Sequence, residues 1–96
     1  MSPSAAVLPP APARLTLTES GVYMRQCEAA TAQLTSDQEA RLDVSALQVF
    51  DSSALAVLLA VRRRVLAAGA RWRVEGLPER LRDLAKLYGV SELLAA

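Results

Sequence analysis

The chain has 96 residues and a net charge of +1, from eleven basic and ten acidic side chains, and 52% of it is apolar. That suits one small domain with a real core, and the near-neutral balance gives no electrostatic reason to expect nucleic acid or an anionic membrane as a partner. With no histidine and one cysteine, Cys27, a histidine-activated nucleophile, a Cys/His zinc site and an internal disulfide are excluded, and a reducing compartment is the simple reading.

The opening stretch "MSPSAAVLPPAPA" carries four of the five prolines and no charged side chain. It lacks the basic and apolar regions of a secretory signal, so residues 1–12 are expected to be a disordered or extended lead-in. Within it, "AAVL" (residues 5–8) is a candidate fourth strand, held to an edge by the prolines behind it. Residues 13–96 then form one domain. The longest apolar run, Ala54 to Val61, has eight residues, whereas a membrane span needs roughly 20. A soluble protein with no direct membrane insertion is expected.

"ARLTLTE" (Ala13 to Glu19) alternates, with Leu15 and Leu17 on one side, which predicts a strand. Ser20-Gly21 is read as its break. Tyr23, Cys27, Ala30 and Leu34 then fall on one helical stripe, with Cys27 as a packing residue. "TSDQE" is a polar loop. "ARLDVSAL" (Ala40 to Leu47) returns to period two and predicts a second strand. From Ala54 the pattern is helical, with Ala54, Leu58, Val61 and Val65 on one line and Leu55, Leu59 and Leu66 beside it. This wide stripe predicts the most buried helix, ended by Gly69 as a residue just past its C-terminus.

"ARWRVEGL" (Ala70 to Leu77) predicts a third strand, with Trp72 and Val74 facing the helices. Pro78 is placed in the first turn of a third helix. The stripe of that helix runs through Leu77, Leu81, Leu84 or Ala85, and Tyr88 as a core ring with a wet hydroxyl, and Gly89 closes it. "VSELLAA" is a short closing turn or helix. Alternating strands and helices imply an α/β fold whose sheet is at least partly parallel, with helices on one face.

Little in the chain suggests catalysis. Four glycines make no phosphate loop, and no two acids stand out as a facing pair. The chain is therefore expected to be a binding or regulatory protein, not an enzyme, with no cofactor and no metal. The informative stretch is Asp51-Ser52-Ser53, between a strand and the most apolar helix. Its plain reading is an N-cap, worth about 1 kcal/mol. The same place also leaves a hydroxyl exposed at a helix N-terminus, where an added phosphate is tolerated by the helix and felt by a docked partner. Asp43 is either a solvated strand residue or an acceptor near this triplet. Arg62-Arg63-Arg64 cannot form one patch, since successive helical residues point about 100° apart. Arg62 follows the Leu55 and Leu59 line, so Leu55 and Arg62 are the candidate partner surface continuous with Ser52.

The "LDVSAL" strand, the "DSSALA" turn into a helix and the closing "LAKLYGVSELL" resemble the STAS domain family over about Ala40 to Leu94. That family includes anti-sigma factor antagonists and the MlaB subunit of the Mla phospholipid transporter. The resemblance implies a small mixed sheet of about four strands with helices packed on one face, and a regulatory role. Antagonists resemble "DSSGLG" at the turn, and their first serine, matched here by Ser52, is phosphorylated by an anti-sigma factor kinase. Ala54 and Ala56 stand where glycines are usual, and their methyl groups would obstruct that docking. "LAKLYGV" looks more like MlaB. The MlaB-like reading implies a cytoplasmic protein, peripheral at the inner membrane through its partner, the ATPase subunit of a phospholipid ABC transporter. Ser52 would then be the main contact, with Asp51 and Ser53 shaping the turn.

Overall fold

The computed structural model describes residues 4–94. Its elements follow in the order β1 (Ala5–Val7), β2 (Arg14–Leu15), α1 (Leu17–Thr31), β3 (Glu39–Asp43), β4 (Val49–Phe50), α2 (Ser52–Ala67), β5 (Arg71–Glu75), α3 (Glu79–Leu87) and α4 (Ser91–Leu94).

Prolines decide how the first part of the sheet is laid out. The chain from Ala5 to Leu15 runs beside the chain from Glu39 to Phe50, and both lines are interrupted midway. β1 pairs with β3 and β2 with β4, in both cases parallel. Between the two pairings lie Pro9, Pro10 and Pro12, which have no N–H to give. Leu8 and Ala11 still donate to the carbonyls of Arg41 and Asp43, each at 2.9 Å. Ala5 faces Glu39 but Arg14 faces Val49, so the lines slip by one residue in the gap. The candidate strand at residues 5–8 is thus present as β1 on an edge. The stretch expected as a lead-in also places Leu8 and Ala11 in the core; residues 1–3 lie outside the described residues.

β5 pairs parallel with β3, giving the order β1-β3-β5. The expected mixed sheet is therefore two small sheets, and every pairing among the described residues is parallel. The chemistry of the connections explains this: α1 and α2 are crossovers, which return the chain to run in the same direction. Ala40, Leu42 and Trp72 point inward and are buried, while Arg41, Asp43, Arg71, Arg73 and Glu75 are exposed on the other face. The helices therefore cover one face, as expected.

α1 begins earlier than period-two alternation predicted, and Ser20-Gly21 lies inside it. Thr16 is its N-cap, not a strand residue. The Thr16 hydroxyl accepts from the Thr18 N–H at 3.3 Å, and the Thr16 N–H and hydroxyl donate to Glu19 Oε1 at 2.8 and 2.6 Å. This capping box satisfies orphan N–H groups at the helix start. It decides the conformation of a segment whose alternation rests on two leucines, and the helix tolerates Gly21 at a cost of about 1 kcal/mol. Tyr23 and Cys27 are buried, the thiol completely, while the helix stops at Thr31, before Leu34.

α2 is the most buried helix, as its wide stripe predicted. Ala54, Leu55, Val57, Leu58, Val61 and Val65 are all in the core, packed against α1, β5, α3 and α4. Leu66 is not: it is 45% exposed. Gly69 follows with φ +78, which favours glycine. β3 ends at Asp43, whose carboxylate accepts from the Ser45 N–H at 2.9 Å. Asp43 is thus an exposed turn acceptor with Ser45 as its partner. Pro78 sits one place before α3, as its N-cap, with ψ 147. Leu81 and Ala85 bury the inner face of α3. Tyr88 turns outward and is 58% exposed, contrary to the expected core ring, because it follows the last helical residue and its neighbour Gly89 takes φ +71.

Candidate functional site

β2 and β4 lie side by side and end at the same level. Each hands the chain to a helix after a single capping residue, Thr16 for α1 and Asp51 for α2. Two helix N-termini therefore converge, each a partial positive charge, and their first-turn N–H groups are largely taken up by Thr16 and Asp51.

Asp51 serves both helices. Its Oδ1 accepts from the Ser53 N–H at 2.8 Å and its Oδ2 from the Leu17 N–H at 3.3 Å. The Ser53 backbone bond is the main reason its carboxyl is held below the usual value of 3.8, with the Ser53 hydroxyl and the Leu17 N–H adding to it. A folded-state pKa below the unfolded one contributes stability that is present above pH 3.8 and lost as the pH falls through the folded value. Asp51→Asn keeps a good N-cap but removes the charge. Urea midpoints of the two proteins should differ at neutral pH, with wild type higher, and should converge in acid below 3.8. A difference that persists unchanged at the lowest pH would mean that the charge has no part in it.

Ser52 is the first residue of α2 and is exposed, and Ser53 is half-buried. Among the described residues no hydrogen bond holds the Ser52 hydroxyl, because the capping role has passed to Asp51. Ser52 opens onto a shallow groove of about 540 Å³, lined on the β4–α2 side by Phe50 and Asp51 and on the α3 side by Arg80, Asp83, Leu87 and Tyr88. The Arg80 guanidinium lies 5.4 Å from the Phe50 ring centre, a cation–π contact that joins the two walls. Leu87 is 79% exposed on its rim. Leu17 and Val49, adjoining the same junction, are also exposed. The hydroxyl therefore sits among exposed apolar side chains interspersed with Arg80 and Asp83, and exposed apolar side chains grouped in this way mark a surface for another protein.

The expected site residues divide. Asp51, Ser52 and Ser53 come together at this junction. Leu55 does not belong to it: it is 4% exposed, because the residue three places into α2 already faces the core. Arg62 is half-buried and lies about 15 Å along the helix axis from Ser52, outside the groove. Of the arginine triplet it is Arg64 that has a defined partner, donating from Nε to the Thr31 hydroxyl at 3.1 Å and so tying α2 to α1. Ala54 is fully buried, so its methyl group cannot obstruct a partner, whereas Ala56 is exposed and can. Sequence reading missed Phe50, Arg80, Asp83 and Leu87. The available signal was Leu87 itself, an apolar side chain off the Leu81–Ala85 stripe.

A protein-family model described as Mlab, STAS domain matches residues 9–95. No curated protein matches the chain.

Proposed function

This chain belongs to the STAS domain family of the MlaB type, and from that premise we propose that it is a non-enzymatic subunit that binds the ATPase of an Mla-type phospholipid ABC transporter. STAS domains are in general non-catalytic binding domains, and that coarser role fits the site. One observation supports the reading above others. The Ser52 hydroxyl is free and exposed at a helix N-terminus, in a groove that combines the exposed apolar side chain of Leu87 and the Tyr88 ring with the charges of Arg80 and Asp83. In this reading the groove receives the ATPase, Ser52 bonds a polar group of it, and Leu87 and Tyr88 supply the apolar contact. The protein then works at the cytoplasmic face of the inner membrane through its partner; no helix among the described residues is long and apolar enough to cross a membrane.

Ser52→Ala tests this. The side chain is exposed and holds nothing in the fold, so stability should change by less than about 0.5 kcal/mol. Binding of the co-expressed ATPase, measured by co-purification and titration, should weaken. An ATPase bound as tightly as by wild type would reject the proposal.

The free hydroxyl also supports a second reading, an anti-sigma factor antagonist switched by phosphate on Ser52. A phosphate there meets the partial positive charge of the α2 N-terminus favourably and adds negative charge next to Asp51, so a docked partner would feel the change. Incubation with ATP and an anti-sigma factor kinase from the same genome should label Ser52 in this case and leave Ser52→Ala unlabelled.

A further inference from the structure

β5 is an edge strand, and its hydrogen bonding is one-sided. The Arg71 N–H donates to the Gln38 carbonyl at 2.8 Å and the Glu75 carbonyl accepts from the Val44 N–H at 2.9 Å. In a parallel ladder that fixes the phase: Arg71, Arg73 and Glu75 turn their backbone groups to β3, and Trp72 and Val74 turn theirs away. Among the described residues nothing bonds those outward groups. An open edge of this kind is a template for another strand.

The space beside the edge is shaped and charged. A recess of about 380 Å³ lies against Val74, with Leu77, Ala85 and Leu94 as its apolar walls. Among the described residues its only charged lining side chains are Arg82 and Lys86, both cationic and both exposed. Ser91 Oγ, also lining it, is buried with no hydrogen-bond partner among the described residues. On the outer face of the same strand stand Arg71, Arg73 and Glu75, all exposed, with Arg73 Nε 3.7 Å from Glu75 Oε1 and Arg71 in no ion pair among the described residues.

We propose that the free edge of β5 and the recess beside it form a second docking site, which takes an extended segment of a partner protein carrying an apolar side chain flanked by acidic ones. Backbone groups of Trp72 and Val74 extend the sheet by one strand. Alternate side chains of the added strand point to opposite faces, so an apolar one enters the recess while its acidic neighbours meet Arg71 and share Arg73 with Glu75. Arg82 and Lys86 hold a further carboxylate at the rim. A lipid would use the recess and the cations but not the two unbonded peptide groups, which is why a polypeptide is the occupant assigned. The site lies on the flank of α3 away from the Ser52 groove and does not depend on it.

The test uses the whole chain and a fluorescent peptide of about seven residues in which glutamate and valine alternate. Fluorescence anisotropy should detect saturable binding, and Ser52→Ala should leave it unchanged. Arg82→Glu with Lys86→Glu, both at exposed positions, should weaken it at least tenfold. The same peptide N-methylated at alternate amides, with charge and side chains intact, should lose binding because it cannot form the ladder. Absence of binding at about 1 mM, equal binding of the N-methylated peptide, or indifference to the double variant would each overturn the proposal. So would dodecanoate occupying the recess where the peptide does not bind, or a dimer of the chain that closes the edge.

Discussion

Leu58→Ala should cost about 3 kcal/mol of folding stability and lower the thermal midpoint by on the order of 10–20 °C. Leu58 is 0% exposed, at the middle of the one helix that touches α1, β5, α3 and α4 together. Its removal opens a cavity that four packed elements cannot all collapse to fill, so the cavity cost adds to the lost transfer energy. A domain of this size holds only about 5–15 kcal/mol in total, so this change removes a large share of it. Leu66→Ala is the matched control: same helix, same chemistry, but 45% exposed. It should change stability by less than about 1 kcal/mol. Paired urea titrations read both. Equal losses for the two would mean that α2 does not present Leu58 inward and Leu66 outward.

Leu87→Asp should leave the fold intact and weaken ATPase binding by roughly 30-fold or more, the scale of an interface hot spot. Leu87 is 79% exposed at the end of α3, so the fold gains little from it. A docked partner would bury it, and a carboxylate placed there would have to be stripped of water, while the cation of the groove, Arg80, is already engaged over the Phe50 ring. Leu66→Asp makes the same change about 20 Å along α2 from Ser52 and should leave binding unaffected. Titration of the ATPase against both variants, with melting curves beside them, separates binding from stability. Loss of binding in both would point to general surface disturbance, and loss in neither would move the interface away from the groove.

The two leucine predictions depend on different kinds of information. Leu58 lies on the Ala54–Val65 line, and its burial was readable from spacing alone, because a helix with apolar side chains on a wide face has one way to leave water. The same is true of Trp72 and Val74 on β5, of Cys27 on α1, and of the breaks at Gly69 and Gly89. Leu87 was not readable in this way. Spacing marks it only as an apolar side chain off the Leu81–Ala85 stripe; that it rims a groove with Ser52 depends on where α3 stops and what lies across from it, which local sequence does not encode. Tyr88 went to the wrong side for the same reason. Leu55 is buried as its place on the wide stripe of α2 predicted, and only its assignment to the partner surface fails, since the third residue after Ser52 turns into the core.

Local pattern also misjudged the start of α1, where two signals overlapped on five residues. Alternation of Leu15 and Leu17 spoke for a strand, and Thr16 with Glu19 spoke for a capping box. Both are true of neighbouring residues, and hydrogen bonds to orphan N–H groups decided the boundary.

The chain's order of strands and helices, its single core, the helix stripe of α2 and the exposed hydroxyl at position 52 were all determined by the sequence itself, because each follows from how apolar and capping residues are spaced along it. What only the tertiary structure decided is which separate pieces meet. It brought the ends of β2 and β4 level, so that one carboxylate, Asp51, caps two helices. It laid α3 across from Ser52 to make a groove, and it left β5 on an edge with a cationic recess beside it. Those meetings are set by the packing of helices on twisted parallel strands, which no periodicity within one segment encodes.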